Sequence, residues 1–87
     1  MNVTFTETAW GHYLGWQRDD KAVLKRIHLL ISDTKRDPYD GLGKPERLRE
    51  DPAGYWSRRI TEEHRMVYKV TTAGDLLIVM LKYRYCM

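Results

Sequence analysis

Three short stretches carry the side chains best suited to an anionic substrate. In "YWSRRITEEHRMVYKV", residues 55–70, Arg58, Arg59 and Arg65 stand where a sheet would prefer apolar residues. In "GLGKPERLRE", Glu46 sits among Lys44, Arg47 and Arg49. In "LKYRYCM", Arg84 lies between Tyr83 and Tyr85. Guanidinium is permanently charged and presents a planar fork of donors that matches phosphate. A carboxylate set among cations is an anion able to take up a proton, if it faces the substrate. Aromatic rings alternating with cations suit single-stranded RNA, because rings stack on bases while guanidinium holds phosphate.

Each pattern also has a plainer reading. The hairpin arginines can be solvated and paired with Glu62 and Glu63, and such surface pairs contribute only about 0–1 kcal/mol. Glu46 can simply balance charge in a loop. Tyr83 and Tyr85 can face the core while Arg84 faces water. Strand geometry adds a constraint: Arg58 and Arg59 point to opposite faces, so only one shares a face with Arg65. A symmetric two-residue turn at Glu62 and Glu63 pairs Ile60 with Arg65 and selects Arg58. A one-residue bulge selects Arg59 instead. The sequence leaves both registers open. His12, His28 and His64 have no ligand spacing and no Cys or Ser partner, so they read as structural.

The elements that must position these groups follow from periodicity. "NVTFT" alternates Val3 and Phe5 with polar residues and reads as a first strand. Thr6 or Thr8 offers an N-cap for a helix whose one face carries Trp10, Tyr13, Leu14 and Gln17. "RDD" at 18–20 breaks it, and Asp19 or Asp20 caps a second helix. That helix has a stripe of Val23, Leu24, Ile27, Leu30 and Ile31 and ends before Pro38. So tight a connection predicts a helical hairpin laid on a sheet. Residues 37–51 are dense in Gly, Pro and Asp and read as a loop, with a helical turn near Glu46 to Arg49. Strands follow at about 55–61, 64–71 and 75–82. "LLIVML" is uniformly apolar, which predicts the most buried position in the sheet. "KYRY" is a further strand or an extension of the last one.

Composition bounds the rest. The 87 residues predict one domain spanning 1–87. Hydrophobic residues make up 43%, enough for a core, and charged residues 31%. The net charge of +3 is a mild excess, so where the cations sit matters more than their sum. A single cysteine, Cys86, excludes an intrachain disulfide and suits a reducing cytoplasm. No apolar run reaches membrane-span length, and no signal peptide is apparent.

Taken together, "GKPERL", "YWSRRITEEHRMVYKV" and the aromatic–basic–aromatic ending resemble the YoeB family of the RelE superfamily, toxins of bacterial toxin–antitoxin modules. Trp10, Tyr13, Trp16, Gln17, Asp20 and Lys21 match as well, so the resemblance runs nearly the whole chain. It implies an α+β fold similar to that of microbial ribonucleases. Two N-terminal helices would pack on one face of a mainly antiparallel sheet of four to five strands, with the other face open.

The resemblance also implies a ribosome-dependent endoribonuclease that cuts mRNA in the ribosomal A site. It implies a YefM-like antitoxin as partner, homodimers in some members, and no cofactor. Carried over by position, Glu46 matches the general base and Arg65 the phosphate-stabilising arginine. Arg49 and Arg59 match basic positions that help hold RNA, and Tyr85 matches the terminal tyrosine. Lys44 and Arg58 complete the expected RNA-binding set. The chain departs from the pattern at Arg84, where the family has a histidine acting as general acid. Arginine is a poor acid, with a pKa above about 12, but a good charge stabiliser. The expectation is therefore that Arg84 joins Arg65 against the phosphorane, and that Tyr85 or solvent supplies the proton.

Overall fold

Caps and breaks set the N-terminal half of the chain, as seen in a computed structural model that describes residues 1–49 and 53–83. The first strand, β1, is Val3–Phe5. Thr6 then caps helix α1, Glu7–Asp19, its hydroxyl accepting from the Ala9 N–H at 3.1 Å. Asp20 alone separates α1 from α2, Lys21–Arg36. Its backbone N–H closes α1 on the Trp16 carbonyl, and its carboxylate accepts from the Ala22 and Val23 N–H groups to open α2. One residue thus ends one helix and starts the next, so the pair folds back on itself. The Tyr13 hydroxyl meets His28 Nε2 across the two helices at 2.8 Å.

Five strands make one sheet in the order β1-β5-β4-β3-β2. The others are β2, Glu46–Arg47; β3, Trp56–Arg59; β4, Arg65–Val70; and β5, Leu76–Met80. The β1 and β5 strands are parallel, and every other pairing is antiparallel. One expectation changes here. Glu46 and Arg47 form a short edge strand rather than a helical turn, because the Gly43 carbonyl and the Leu48 N–H pair with Arg59 and Tyr55 of the neighbouring segment. The uniformly apolar β5 is an interior strand between β4 and β1, and β4 is the central one.

The core lies between helices and sheet. Ala9, Ile27 and Leu30 meet Ile60, Met66, Tyr68, Leu76, Ile78 and Leu81 there, with Val3, Phe5, Trp16 and Trp56 packed around them. Strand alternation sends Ser57, Arg59, Arg65 and Val67 to the opposite face. That face is not open throughout, since Ser57 is 9% and Val67 0% exposed. No described helix is long and apolar enough to cross a membrane.

Candidate active site

The β3–β4 register decides between the two hairpin arginines. Arg59 stands directly opposite Arg65, and Arg58 opposite Met66. The hairpin closes with the Ile60 and Thr61 N–H groups both donating to the His64 carbonyl. This one-residue shift from a symmetric turn selects Arg59. The Arg59 N–H donates to Gly43 on one side and the Arg65 N–H to Tyr83 on the other. The two arginines therefore form a non-hydrogen-bonded pair, the kind in which side chains lie closer. Like charges placed opposite each other cost stability. Guanidiniums on adjacent strands present donors whose planar fork matches a phosphate.

Glu46 joins this pair through the edge strand. It stands opposite Ser57, which stands opposite Val67, so all three share the face of Arg59 and Arg65. Glu46 is one diagonal from Arg59, a separation of about 7–8 Å. Strand spacing and rise put Glu46 about 12 Å from Arg65, Cα to Cα. Ser57 and Val67 form the floor between. Glu46 and Arg59 are exposed.

Backbone geometry holds these groups in place. Gly43 has φ 79° and Lys44 φ 52°, both left-handed. Their turn brings the Gly43 carbonyl to 2.7 Å from the Arg59 nitrogen. A Cβ at residue 43 would lie 3.0 Å from the Arg59 carbonyl oxygen and 2.9 Å from Leu30 Cδ2. Only glycine tolerates both the φ and the approach. Arg65 is tied to its own turn: Nη1 donates to the carbonyls of Thr61, Glu62 and His64 at 2.9, 3.0 and 3.3 Å.

Arg58 is a correction. The guanidinium is 0% exposed and lies on the helix face. It donates to Asp33 Oδ2 at 2.7 Å, to the Tyr68 hydroxyl at 3.1 Å, and to the carbonyls of Leu42, Asp37 and Asp40. Burial pushes the Tyr68 phenol up, with Arg58 pulling it the other way. The Arg36 guanidinium, the Leu42 N–H and Arg58 hold the Asp33 carboxyl well below the usual carboxylate range. Arg58 is thus a buried cross-link from β3 to the end of α2 and the 37–42 loop, and it has no path to an RNA.

The remaining expected residues divide. Lys44 is exposed at the turn leading into Glu46, beside Arg59. Arg49 is exposed in the turn after β2, at the end of that strand away from Lys44. Tyr83 is 58% exposed and does not face the core. Arg84 and Tyr85 lie outside the described residues. Among the described residues, no group of three or more His, Cys, Asp or Glu could hold a metal ion.

A family profile described as the YoeB-like toxin of bacterial type II toxin–antitoxin systems matches residues 5–85. The chain belongs to the YoeB-like toxin family. It is 52% identical over 85 residues to the toxin YoeB of Synechocystis, covering 98% of each chain. Its structure resembles a YoeB/ParE toxin from Agrobacterium tumefaciens with a TM-score of 0.93 and 45% identity, over 98% of this chain and 100% of that one. Two Staphylococcus aureus structures are also similar, each matched over 98% of both chains. One is a YoeB dimer, with TM-score 0.90 and 40% identity; the other is a YoeB–YefM complex, with TM-score 0.87 and 38% identity. The two helices on a five-stranded, mostly antiparallel sheet are thus a YoeB-type arrangement.

Three features of this YoeB-like chain escaped the sequence. The Asp33–Arg58 pair joins residues 25 apart, and an arginine alternating with apolar strand positions was its only signal. Gly43 was visible only as loop composition. His12 and His64 accept hydrogen bonds from the Leu81 and Tyr83 N–H groups, beyond the end of β5, and those bonds have no sequence signature.

Proposed function

We propose that the chain is an endoribonuclease toxin that cuts mRNA in the ribosomal A site and so stops translation. The observation that carries this reading is the shared face of Glu46, Arg59 and Arg65, with Arg59 and Arg65 directly paired. Glu46 takes the proton from a ribose 2′-hydroxyl, and the 2′-oxygen attacks the adjacent phosphorus. Negative charge develops on the non-bridging oxygens of the phosphorane. Arg65, held at its Nη1 by the turn carbonyls, meets that charge without having to reorganise, and Arg59 adds to it. The bond to the 5′-oxygen breaks as that oxygen gains a proton, supplied by Tyr85 or solvent, with Arg84 as a further charge stabiliser. Lys44 and Arg49, at the two ends of the β2 edge, hold the flanking backbone of the RNA. No cofactor enters the scheme.

A YefM-like antitoxin is the proposed inhibitor, given the complex formed by the Staphylococcus aureus relative. Self-association into a dimer is proposed on the same basis. Ribosomes and mRNA as partners place the site of action in the cytoplasm.

The test is primer extension on mRNA in a purified translation system. Wild type should leave cleaved 5′ ends within translated codons. Glu46→Ala should cut about 10²–10⁴-fold more slowly. Arg65→Ala should lose about 10²–10³-fold. Both should still bind ribosomes. Full-length message together with arrested translation would instead mean a basic module that only blocks the A site.

A further inference from the structure

The chain after β5 is held by side chains as well as by backbone pairing. Trp16 Nε1–H donates to the Leu81 carbonyl at 2.8 Å. The Leu81 N–H donates to His12 Nδ1 at 3.2 Å, and the Tyr83 N–H donates to His64 Nδ1 at 2.8 Å. A backbone N–H can only donate, so both Nδ1 atoms must be acceptors. An imidazolium has no such lone pair. The same residues are packed together: the His64 ring meets Trp16 edge-on at 4.9 Å, and Tyr83 lies 5.9 Å from His64 and 6.3 Å from His12.

Tyr83 also takes a costly backbone conformation. Its φ is 64°, in the left-handed region that bulky L-residues rarely occupy. Such a residue persists only where its surroundings over-determine it, and these outliers cluster at functional sites. Here the surroundings are His64, the Arg65 N–H on the Tyr83 carbonyl, and the bonds from His12 and Trp16 to Leu81. Tyr83 is the residue immediately before Arg84.

We propose that His12 and His64 are positioning residues whose neutral imidazoles hold Leu81 and Tyr83 in place, with the Tyr83 carbonyl on the Arg65 N–H, and that protonating them releases these residues and gives mRNA cleavage a histidine-controlled acid limb. This rests on the nuclease reading of Arg65.

The groups around His12 favour the neutral form. His12 borders a cavity of about 150 Å³ shared with Arg18, Asp19, Lys82, Trp16, Gly11 and Gly15. Burial, then Lys82, then His64, lower the His12 pKa below its ordinary value. His64 is followed by Arg65 in the chain and faces the Trp16 and Tyr83 rings, with the Thr61 hydroxyl on its backbone N–H. Asp19 is the acidic group lining the cavity, and its carboxylate is paired with Arg18 at 2.9 Å. With the folded His12 pKa depressed, its hydrogen bond is intact above the ordinary histidine range. It is lost as pH falls through the lowered value.

Two measurements test this. In ¹H–¹⁵N spectra of the free protein between pH 5 and 8, the Leu81 and Tyr83 amides should shift in step with the His12 and His64 ring nitrogens. Amides that stay still while the rings titrate would overturn the clamp, whatever the protein does to RNA. In the purified translation system, His64→Phe keeps the ring contacts but removes the acceptor. It should cut about threefold to tenfold more slowly at saturating ribosomes, with unchanged ribosome affinity. The His12→Asn/His64→Asn double variant supplies a non-titrating acceptor at both places. It should restore the rate and flatten the acid limb seen in wild type under the same buffers. A His64→Phe protein that cuts at the wild-type rate, or an acid limb unchanged in the Asn pair, would refute the positioning role. If wild type leaves mRNA uncut while the amides still follow the rings, the clamp stands and the nuclease reading fails.

Discussion

Replacing Arg58 with methionine separates a buried cross-link from an RNA contact. Methionine has a similar length and no donors. The change removes the five hydrogen bonds that Arg58 makes to Asp33, Tyr68, Leu42, Asp37 and Asp40. Asp33 keeps Arg36 and the Leu42 N–H, and Tyr68 keeps the Pro38 carbonyl. Three carbonyls lose the donor that Arg58 gave them. Removing one partner of a buried ion pair costs about 3–5 kcal/mol. In a domain of this size each kcal/mol shifts Tm by about 4–8 °C, so the melting temperature should fall by about 12–40 °C. Arg58→Lys should recover little of it, because one ammonium cannot serve a carboxylate, a phenol and three carbonyls spread around a planar fork. The assay is a thermal melt followed by circular dichroism, with mRNA cleavage measured well below each variant's transition. An Arg58→Met protein that melts like wild type but binds RNA more weakly would refute the reasoning.

Two further outcomes follow from the same geometry. Gly43→Ala should destabilise the fold by about 2 kcal/mol, since a left-handed alanine costs roughly 1–2 kcal/mol before the contacts with the Arg59 carbonyl and Leu30 are counted. Its melting temperature should drop by about 10 °C, and a wild-type melt would show that β2 docks without the close approach. The depressed Asp33 carboxyl contributes stability that is present above the ordinary carboxylate pKa of about 4 and is lost as pH falls through the native value. Asp33→Asn should therefore melt lower than wild type at pH 7 and converge with it in strong acid; a gap that stays constant with pH would contradict the pairing.

Much of the fold was legible because local chemistry decides it. Thr6 and Asp20 are caps by residue type, and the α2 stripe through Ile27 and Leu30 does bury in the core. The β2 strand was not legible. Two residues have no periodicity, and their pairing depends on a left-handed turn at Gly43 and Lys44 meeting Arg59 from the far side of the loop. The place of β5 was legible only in part. Its hydrophobicity reports how much of it is covered, whereas its rank in the sheet depends on which distant strand pairs with it.

The candidate site shows the same division. Alternation established that only one of Arg58 and Arg59 faces Arg65, but the choice turned on a one-residue register shift in the turn. That shift follows from both Ile60 and Thr61 donating to one carbonyl, a geometry that two glutamates at a turn do not specify. Burial of the other arginine then required an acid from α2, 25 residues away. No pattern within the strand points to it.

The central claim is that Glu46 and the Arg59–Arg65 pair act on the two sides of one phosphodiester through the neighbouring 2′-hydroxyl. The most direct measurement is the chemistry of the ends left on mRNA cut by the wild-type protein. The account predicts a 2′,3′-cyclic phosphate, or the 3′-phosphate formed from it, on the upstream fragment and a 5′-hydroxyl on the downstream one, with both vanishing in Glu46→Ala. A 3′-hydroxyl facing a 5′-phosphate would mean that water, not the ribose, attacks the phosphorus, and would contradict it.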